Sequence, residues 1–426
     1  MDQVKVNTSE LKVGHYVARL DRPWLETPFL FQGFLIRDDS DIEELQKYCQ
    51  YVFVDAEQSS ITDQDRAALR NSVLNKAAVI EDDIETQRHL RVINIPEPDP
   101  ARTGHYYEDK EDLGKELGRA QGIQQNVAAA VSNMLDSLRK GDALDVPLLE
   151  EVVDPLVDSV LRNRDAMAWL TRIKAADEYV YQHSIGSSVW AVVFGRHLGF
   201  DRETLVAVGL GGMLLDIGKT KISTEILRKP DRLSDKEMAL MRRHVEFSLD
   251  ILAEAGNVDP RIECMVANHH ERFNGQGYPG VLKGPDIPVL GRLAGIVDTY
   301  DAMVTKRPYA NRVSSFDAMR ELQRKSNIDF QSEMVDQFVQ AVGIFPTGSL
   351  VELNSGEVGV VVAQNNYQRL RPEVMIVLDR DKNPSRDFRT IDLRLMSDDQ
   401  KEQDSIWIDR GLETGAYGIQ PSEYFL

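Results

Sequence analysis

Six side chains in the middle of this 426-residue chain, His183, Asp216, His244, His269, His270 and Asp298, are of the kinds that ligate transition metals. Imidazole nitrogen together with carboxylate oxygen suits iron, manganese or zinc, whereas a pure oxygen set suits magnesium or calcium. The remaining histidines, His15, His89, His105 and His197, belong to no comparable set. Any one histidine alone reads as a satisfied core or surface residue. The six residues taken together read as a centre for metal-assisted hydrolysis.

Ligands so far apart in sequence must be carried by rigid elements. Apolar residues at helical spacing predict helices over Val189–Leu198, Leu205–Leu215, Asp235–Ala255 and Phe316–Lys325, so the ligands come from several helices facing one cleft. His269 and His270 follow the apolar stretch Ile262–Ala267 and precede Asn274-Gly275-Gln276-Gly277-Tyr278-Pro279, which places them at a helix end beside a loop. Glycines at 275 and 277 let that loop pass close to a ligand, and Pro279 limits its exit. Tyr278 either fixes the loop or stacks on a base or a partner. Asp301 is either a surface carboxylate or an acid that orients a ligand.

Outside this block the patterns change. Residues 1–65 hold short apolar runs such as Tyr51-Val52-Phe53-Val54 between turn-formers and prolines, a small β-rich module with Trp24, Phe29, Phe31 and Phe34 as core candidates. Residues 66–107 are charged and contain Pro96, Pro98 and Pro100, which reads as a linker. Residues 108–345 are helical, opening with the stripe Ile123, Val127, Val131, Met134 and Leu138, which packs within the chain or across a homodimer. Residues 346–426 alternate as strands at Ser349–Leu353, Gly356–Ala363 and Val374–Leu378, a small β-rich tail expected to pack against the helices. The fold class expected is mainly α, with a small β module at either end.

The central block resembles an HD-GYP domain, a branch of the HD hydrolases that cleave the bacterial messenger cyclic di-GMP. The resemblance covers about residues 150–340 and rests on His183-Ser184, Asp216-Ile217-Gly218-Lys219, Ile226-Leu227-Arg228-Lys229-Pro230, His244 and His269-His270-Glu271-Arg272-Phe273-Asn274-Gly275-Gln276-Gly277-Tyr278-Pro279. It continues through Ile287-Pro288, Asp298-Thr299-Tyr300-Asp301-Ala302-Met303 and Arg307-Pro308-Tyr309. The segment from Val13 to Phe34 is similar to an uncharacterised domain that often precedes HD-GYP domains in proteobacteria.

The resemblance implies an all-helical catalytic domain holding two divalent transition metal ions, iron or manganese first and zinc next, and hydrolysis of cyclic di-GMP that either stops at linear pGpG or proceeds to GMP. Two such ions lower the pKa of a bridging water and neutralise charge on a phosphodiester under in-line attack. His244, His269, His270 and Asp216 are expected to hold one ion, and His183, Asp216 and Asp298 the other. Lys219, three residues after Asp216 on one expected helix face, is placed to touch a substrate phosphate, as is the planar fork of Arg307. The chain departs from the family at the name-giving histidine, because Leu215 precedes Asp216. That loss thins the shell of the second ion. Tyr179 stands where some members use a Glu for a third ion, so none is expected here, and Ala310 replaces a basic residue that Arg312 can stand in for. Gly277, Tyr278, Pro279, Arg307 and Arg312 complete the expected substrate contacts.

Composition limits the alternatives. With 50 basic and 69 acidic residues the net charge is −19, which opposes binding of nucleic acid polymers or an anionic membrane. Met1-Asp2-Gln3-Val4-Lys5 lacks the pattern of a secretory signal and no apolar run is long enough to span a bilayer, so a cytoplasmic protein is expected. Cys49 and Cys264 read as two free buried thiols. Beside the enzyme stand a degenerate cyclic di-GMP receptor that has lost catalysis through Leu215, and a scaffold whose Gly-Tyr-Pro loop contacts a signalling protein.

Overall fold

The computed structural model describes residues 3–20, 34–49, 51–55, 59–62, 107–173, 179–229, 231–305, 313–364, 370–385, 388–395 and 406–419. The expected linker apart from Tyr107, the aromatic residues Trp24, Phe29 and Phe31, and both Arg307 and Arg312 lie outside the described residues. Two compact units emerge, the first built from the N-terminal residues and the second from residue 107 onward.

In the first unit, β1 (Gln3–Asn7), β2 (Tyr16–Leu20), β3 (Phe34–Leu35) and β4 (Tyr51–Asp55) form an antiparallel sheet ordered β1-β4-β2-β3. Val52 and Val54 alternate inward on β4, and with Val17, Ile36 and Leu45 they make a core closed to solvent. Leu45 belongs to α1 (Asp39–Tyr48), a helix absent from the sequence expectation. Its start is nonetheless written locally, because the Asp38 carboxylate accepts from the Ser40 amide at 2.9 Å. Its ten acid-rich residues carry too few buried positions for the apolar period to stand out.

The second unit begins with α2 (Leu113–Lys140), capped by Asp112 and ended by Gly141 at φ +89°. Of its stripe, Val127, Val131, Met134 and Leu138 are buried within this one chain and Ile123 is half-buried. The helix lies beside α3 (Val146–Arg162), α4 (Arg164–Ile173) and α5 (Tyr179–His197). Glu116 of α2 is fully buried, and its carboxylate accepts from Arg162 Nε and Nη2, both at 2.8 Å, and from the Ser159 hydroxyl at 2.7 Å. Arg162→Ala should therefore lower unfolding free energy by about 1–3 kcal/mol, since it removes two hydrogen bonds from a buried carboxylate and leaves it Ser159 and the more distant Arg119 at 3.7 Å. Urea unfolding checks this, and a loss within experimental error would overturn it.

At the centre lies α6 (Arg202–Leu214), packed on α3, α5 and α10 (Pro260–Asn268). A Cβ at Gly212 would sit 2.6 Å from the Ser187 carbonyl oxygen, so only glycine lets α5 and α6 approach so closely. A 3-10 turn (Ile217–Lys221) follows, then α7 (Thr224–Leu227), α8 (Asp235–Arg242), α9 (His244–Ala255) and α10. After the loop come α11 (Val289–Val304), α12 (Ser315–Arg324) and α13 (Ser332–Val342). The single helix expected over Asp235–Ala255 is thus two helices meeting at Arg243, where ψ opens to −7°.

The chain closes with β5 (Leu350–Leu353), β6 (Val358–Ala363), β7 (Glu373–Leu378), β8 (Thr390–Asp392) and β9 (Ile408–Leu412), an antiparallel sheet ordered β8-β7-β6-β5-β9. β8 and β9 escape a reading of apolar alternation because they are short and only partly buried. Gly411 of β9 rests against Phe316 of α12, so this sheet packs on the helices. Cys49 and Cys264 are buried, and no disulfide joins them. No helix among the described residues is long and apolar enough to cross a membrane.

Candidate metal centre

Each candidate ligand stands at a point where local structure leaves it little freedom. His244 is the first residue of α9, immediately after the corner at Arg243, and its Nδ1–H donates to the Met241 carbonyl at 2.8 Å. His269 caps the end of α10, and its Nδ1–H donates to the Val266 carbonyl at 2.8 Å. A carbonyl only accepts, so both rings carry their lone pair on Nε2. Those two Nε2 atoms face each other at 3.3 Å, and His270 Nε2 is 3.2 Å from His244 Nε2. Converging lone pairs repel unless a cation lies among them.

Asp216 lies opposite, between α6 and the 3-10 turn, and is 2% exposed. Its Oδ1 is 3.2 Å from His244 Nε2 and 4.0 Å from His269 Nε2, yet this buried oxygen accepts no hydrogen bond. An orphaned carboxylate oxygen beside three imidazole nitrogens fits a divalent ion, and a mixed donor set of this kind fits iron, manganese or zinc. The other oxygen, Oδ2, turns toward His183 Nε2 at 3.4 Å, and Asp298 Oδ1 lies 3.0 Å from that same nitrogen. Two ligand groups result, Asp216-His244-His269-His270 and His183-Asp216-Asp298, with Asp216 common to both.

Charge follows from this arrangement. Burial pushes His269 down to about 4, lowers His244 and lowers His270 far, which keeps the imidazoles in the form that binds metal. Burial opposes ionisation of Asp216 and Asp298, but Lys219 and the histidines around the first, and His183 beside the second, hold both carboxyls well below the usual range. His183 is likewise opposed by burial, yet hydrogen bonds from its ring to Asp298 and Asp301 raise it to about 9. Three carboxylates thus face one imidazole.

Asp301 sets the direction of that ring. Its Oδ2 is 2.7 Å from His183 Nδ1 and accepts from the Thr305 hydroxyl at 3.1 Å, while its Oδ1 accepts from the Trp190 indole N–H at 3.1 Å. The acid is 1% exposed, which removes the surface-carboxylate reading. Gly186 leaves it room, because a Cβ there would lie 2.0 Å from Asp301 Oδ1. Trp190 and Gly186 escaped sequence reasoning, although their spacing from His183, seven and three residues along α5, puts all three on one helix face. Asp301→Asn should weaken metal binding by His183 about 10- to 100-fold. Titration with Mn²⁺ checks this, and an unchanged affinity would overturn it.

Around these groups the structure corrects two expectations. Lys219 does not share a helix with Asp216; it follows it in the 3-10 turn, where i and i+3 eclipse, and its ammonium contacts Asp216 Oδ2 directly. Gly277 does not take a positive φ: a Cβ there would lie 2.4 Å from the Arg272 amide nitrogen, so the residue is glycine because of packing inside the loop. Glu271 holds this loop by accepting from the Gly280 amide at 2.6 Å and the Leu282 amide at 2.9 Å. Tyr278 stacks on the His270 ring at 4.7 Å between centroids, and Pro279 follows it through a cis peptide bond. Leu215 is 1% exposed, and its carbonyl accepts from the Ser248 hydroxyl at 3.2 Å.

Comparison with known proteins adds to this geometry. Residues 162–332 match the HD domain, residues 3–148 a domain of unknown function (DUF3391), and residues 350–398 a KOW domain associated with HD domain. A cyclic di-GMP phosphodiesterase of Pseudomonas aeruginosa is 32% identical over 375 residues, 87% of this chain and 84% of that protein. A cyclic di-GMP phosphodiesterase of Thermotoga maritima is 28% identical over 213 residues, 49% of this chain and 56% of its own. A 3'3'-cGAMP-specific phosphodiesterase of Vibrio cholerae is 34% identical over 128 residues, 30% of this chain and 24% of its own. Among solved structures, a HDG"Y"P protein from Bdellovibrio bacteriovorus has a TM-score of 0.44 at 16% identity, covering 79% of this chain and 98% of its own.

Proposed function

The chain belongs to the HD-GYP branch of the HD-domain proteins, and from that premise we propose that it is a metal-dependent phosphodiesterase that opens cyclic di-GMP to linear pGpG. The observation that carries this reading is the shared carboxylate. Asp216 belongs to both ligand groups, so one side chain can bridge two divalent ions. Ions held there would supply Lewis acidity for hydrolysis of a phosphodiester. His244, His269, His270 and Asp216 form the stronger site, with four protein ligands, and iron or manganese is the proposed occupant. His183, Asp216 and Asp298 form the weaker site, with three.

The remaining residues act on the substrate and on the ligands themselves. To the Lys219 ammonium, which contacts Asp216, we assign the role of meeting a phosphate oxygen as it gains charge. Asp301 holds one His183 proton on Nδ1, and an ion bound in this group would displace the other and take Nε2 as its ligand atom. Tyr278 buttresses His270 through ring stacking. The catalytic block is proposed to span about residues 150–340, with Arg307 and Arg312 as further phosphate contacts.

A receptor that binds cyclic di-GMP without cutting it is the second reading, and Leu215 is the observation that favours it. Anaerobic purification, metal analysis and turnover with Mn²⁺ or Fe²⁺ separate the two. Appearance of linear pGpG supports the enzyme. Tight binding with no product under either metal would sink it in favour of the receptor.

A further inference from the structure

Arg242 is the last residue of α8 and stands two positions before the ligand His244, on the corner at Arg243. Its guanidinium carbon lies 5.1 Å from the centroid of the Tyr278 ring, which in turn stacks on His270. A column of His270, Tyr278 and Arg242 therefore rises from the candidate metal centre to the surface. Arg242 is exposed and has no acidic partner among the described residues, whereas nearby Arg243 pairs with Glu246 at 2.9 Å and Lys229 with Glu237 at 2.7 Å. The surroundings share this sign: residues 217–243 hold eight basic and four acidic side chains in a chain of net charge −19.

A cyclic dinucleotide carries two phosphodiesters. The one being cut is neutralised at the ligand cluster, which leaves the other without a counter-charge. We infer that Arg242 binds this second, uncut phosphodiester and so selects cyclic dinucleotides over simple diesters. Its planar fork matches two phosphate oxygens, and the Tyr278 ring beneath it limits the orientations it must give up on binding. This inference rests on the phosphodiesterase reading and adds a specificity determinant to it.

The test compares metal-loaded wild type, Arg242→Ala and Arg242→Lys on cyclic di-GMP and on bis(p-nitrophenyl) phosphate, which has a single phosphodiester. Metal content of each variant is measured alongside. Arg242→Ala should lower the ratio of kcat/KM between cyclic di-GMP and the simple diester about 10- to 100-fold, mostly through KM, as expected for losing a charged hydrogen bond made in ground and transition states alike. Arg242→Lys should recover part of that loss. An equal fall for both substrates would show that Arg242 only supports the ligand corner, and an unchanged ratio would show that it is idle; either result overturns the inference. If wild type cleaves the simple diester and leaves cyclic di-GMP intact, the substrate reading fails on its own. The dissociation constant of cyclic di-GMP then decides on Arg242, an unchanged value in Arg242→Ala overturning it and a rise supporting it.

Discussion

Asp216→Ala is expected to abolish turnover of cyclic di-GMP and to remove bound metal from both ligand groups at once. No other side chain belongs to both groups among the described residues, so no other single truncation should cost as much. Loss of several kcal/mol of transition-state charge stabilisation, at about 1.4 kcal/mol per tenfold, corresponds to a fall of roughly a thousandfold or more. His269→Ala removes one ligand of the four in the first group and should cost less metal. The two variants are compared by metal content per chain and by product formation under Mn²⁺. If Asp216→Ala kept its metal and its turnover, the bridging role would be wrong and the site would have to be rebuilt around the histidines alone.

Leu215→His should strengthen the weaker site. The wild-type group His183-Asp216-Asp298 offers three protein ligands, and residue 215 directly precedes the shared carboxylate at the end of α6. The apolar side chain is buried, so an imidazole there costs about 1–3 kcal/mol when nothing pairs with it. A metal that binds the folded chain alone returns that stability by mass action, about 2.7 kcal/mol at a hundred times its dissociation constant. The expected result is a variant that melts below wild type without added metal, recovers in Mn²⁺, and carries up to one more ion per chain. Turnover at limiting metal should rise with it. A variant that stays destabilised at every Mn²⁺ concentration and gains no ion would mean that residue 215 faces the core and never the site.

The sequence by itself singled out the cluster of imidazoles and carboxylates that the structure brings together, because that chemistry is a property of residue type and the motifs lie in short contiguous runs. It also determined the element types where the apolar period is clear, as in α2, or where a long run is apolar on nearly all sides, as in α5 and α6. Where an element is brief or polar, as in α1, β8 and β9, too few side chains are buried to print a period on the sequence. The corner at Arg243 was invisible for a related reason: apolar spacing continues across it, and only the opened backbone angle there shows that the helix turns. Only the tertiary structure decided that the His183 ring is held by Asp301, itself held by Trp190, that Asp216 offers one oxygen to each ligand group, and that Arg242 stands over Tyr278. Period and motif tell which face of an element is buried, but the partner it meets there comes from distant stretches of chain, and that pairing is fixed only when the helices pack.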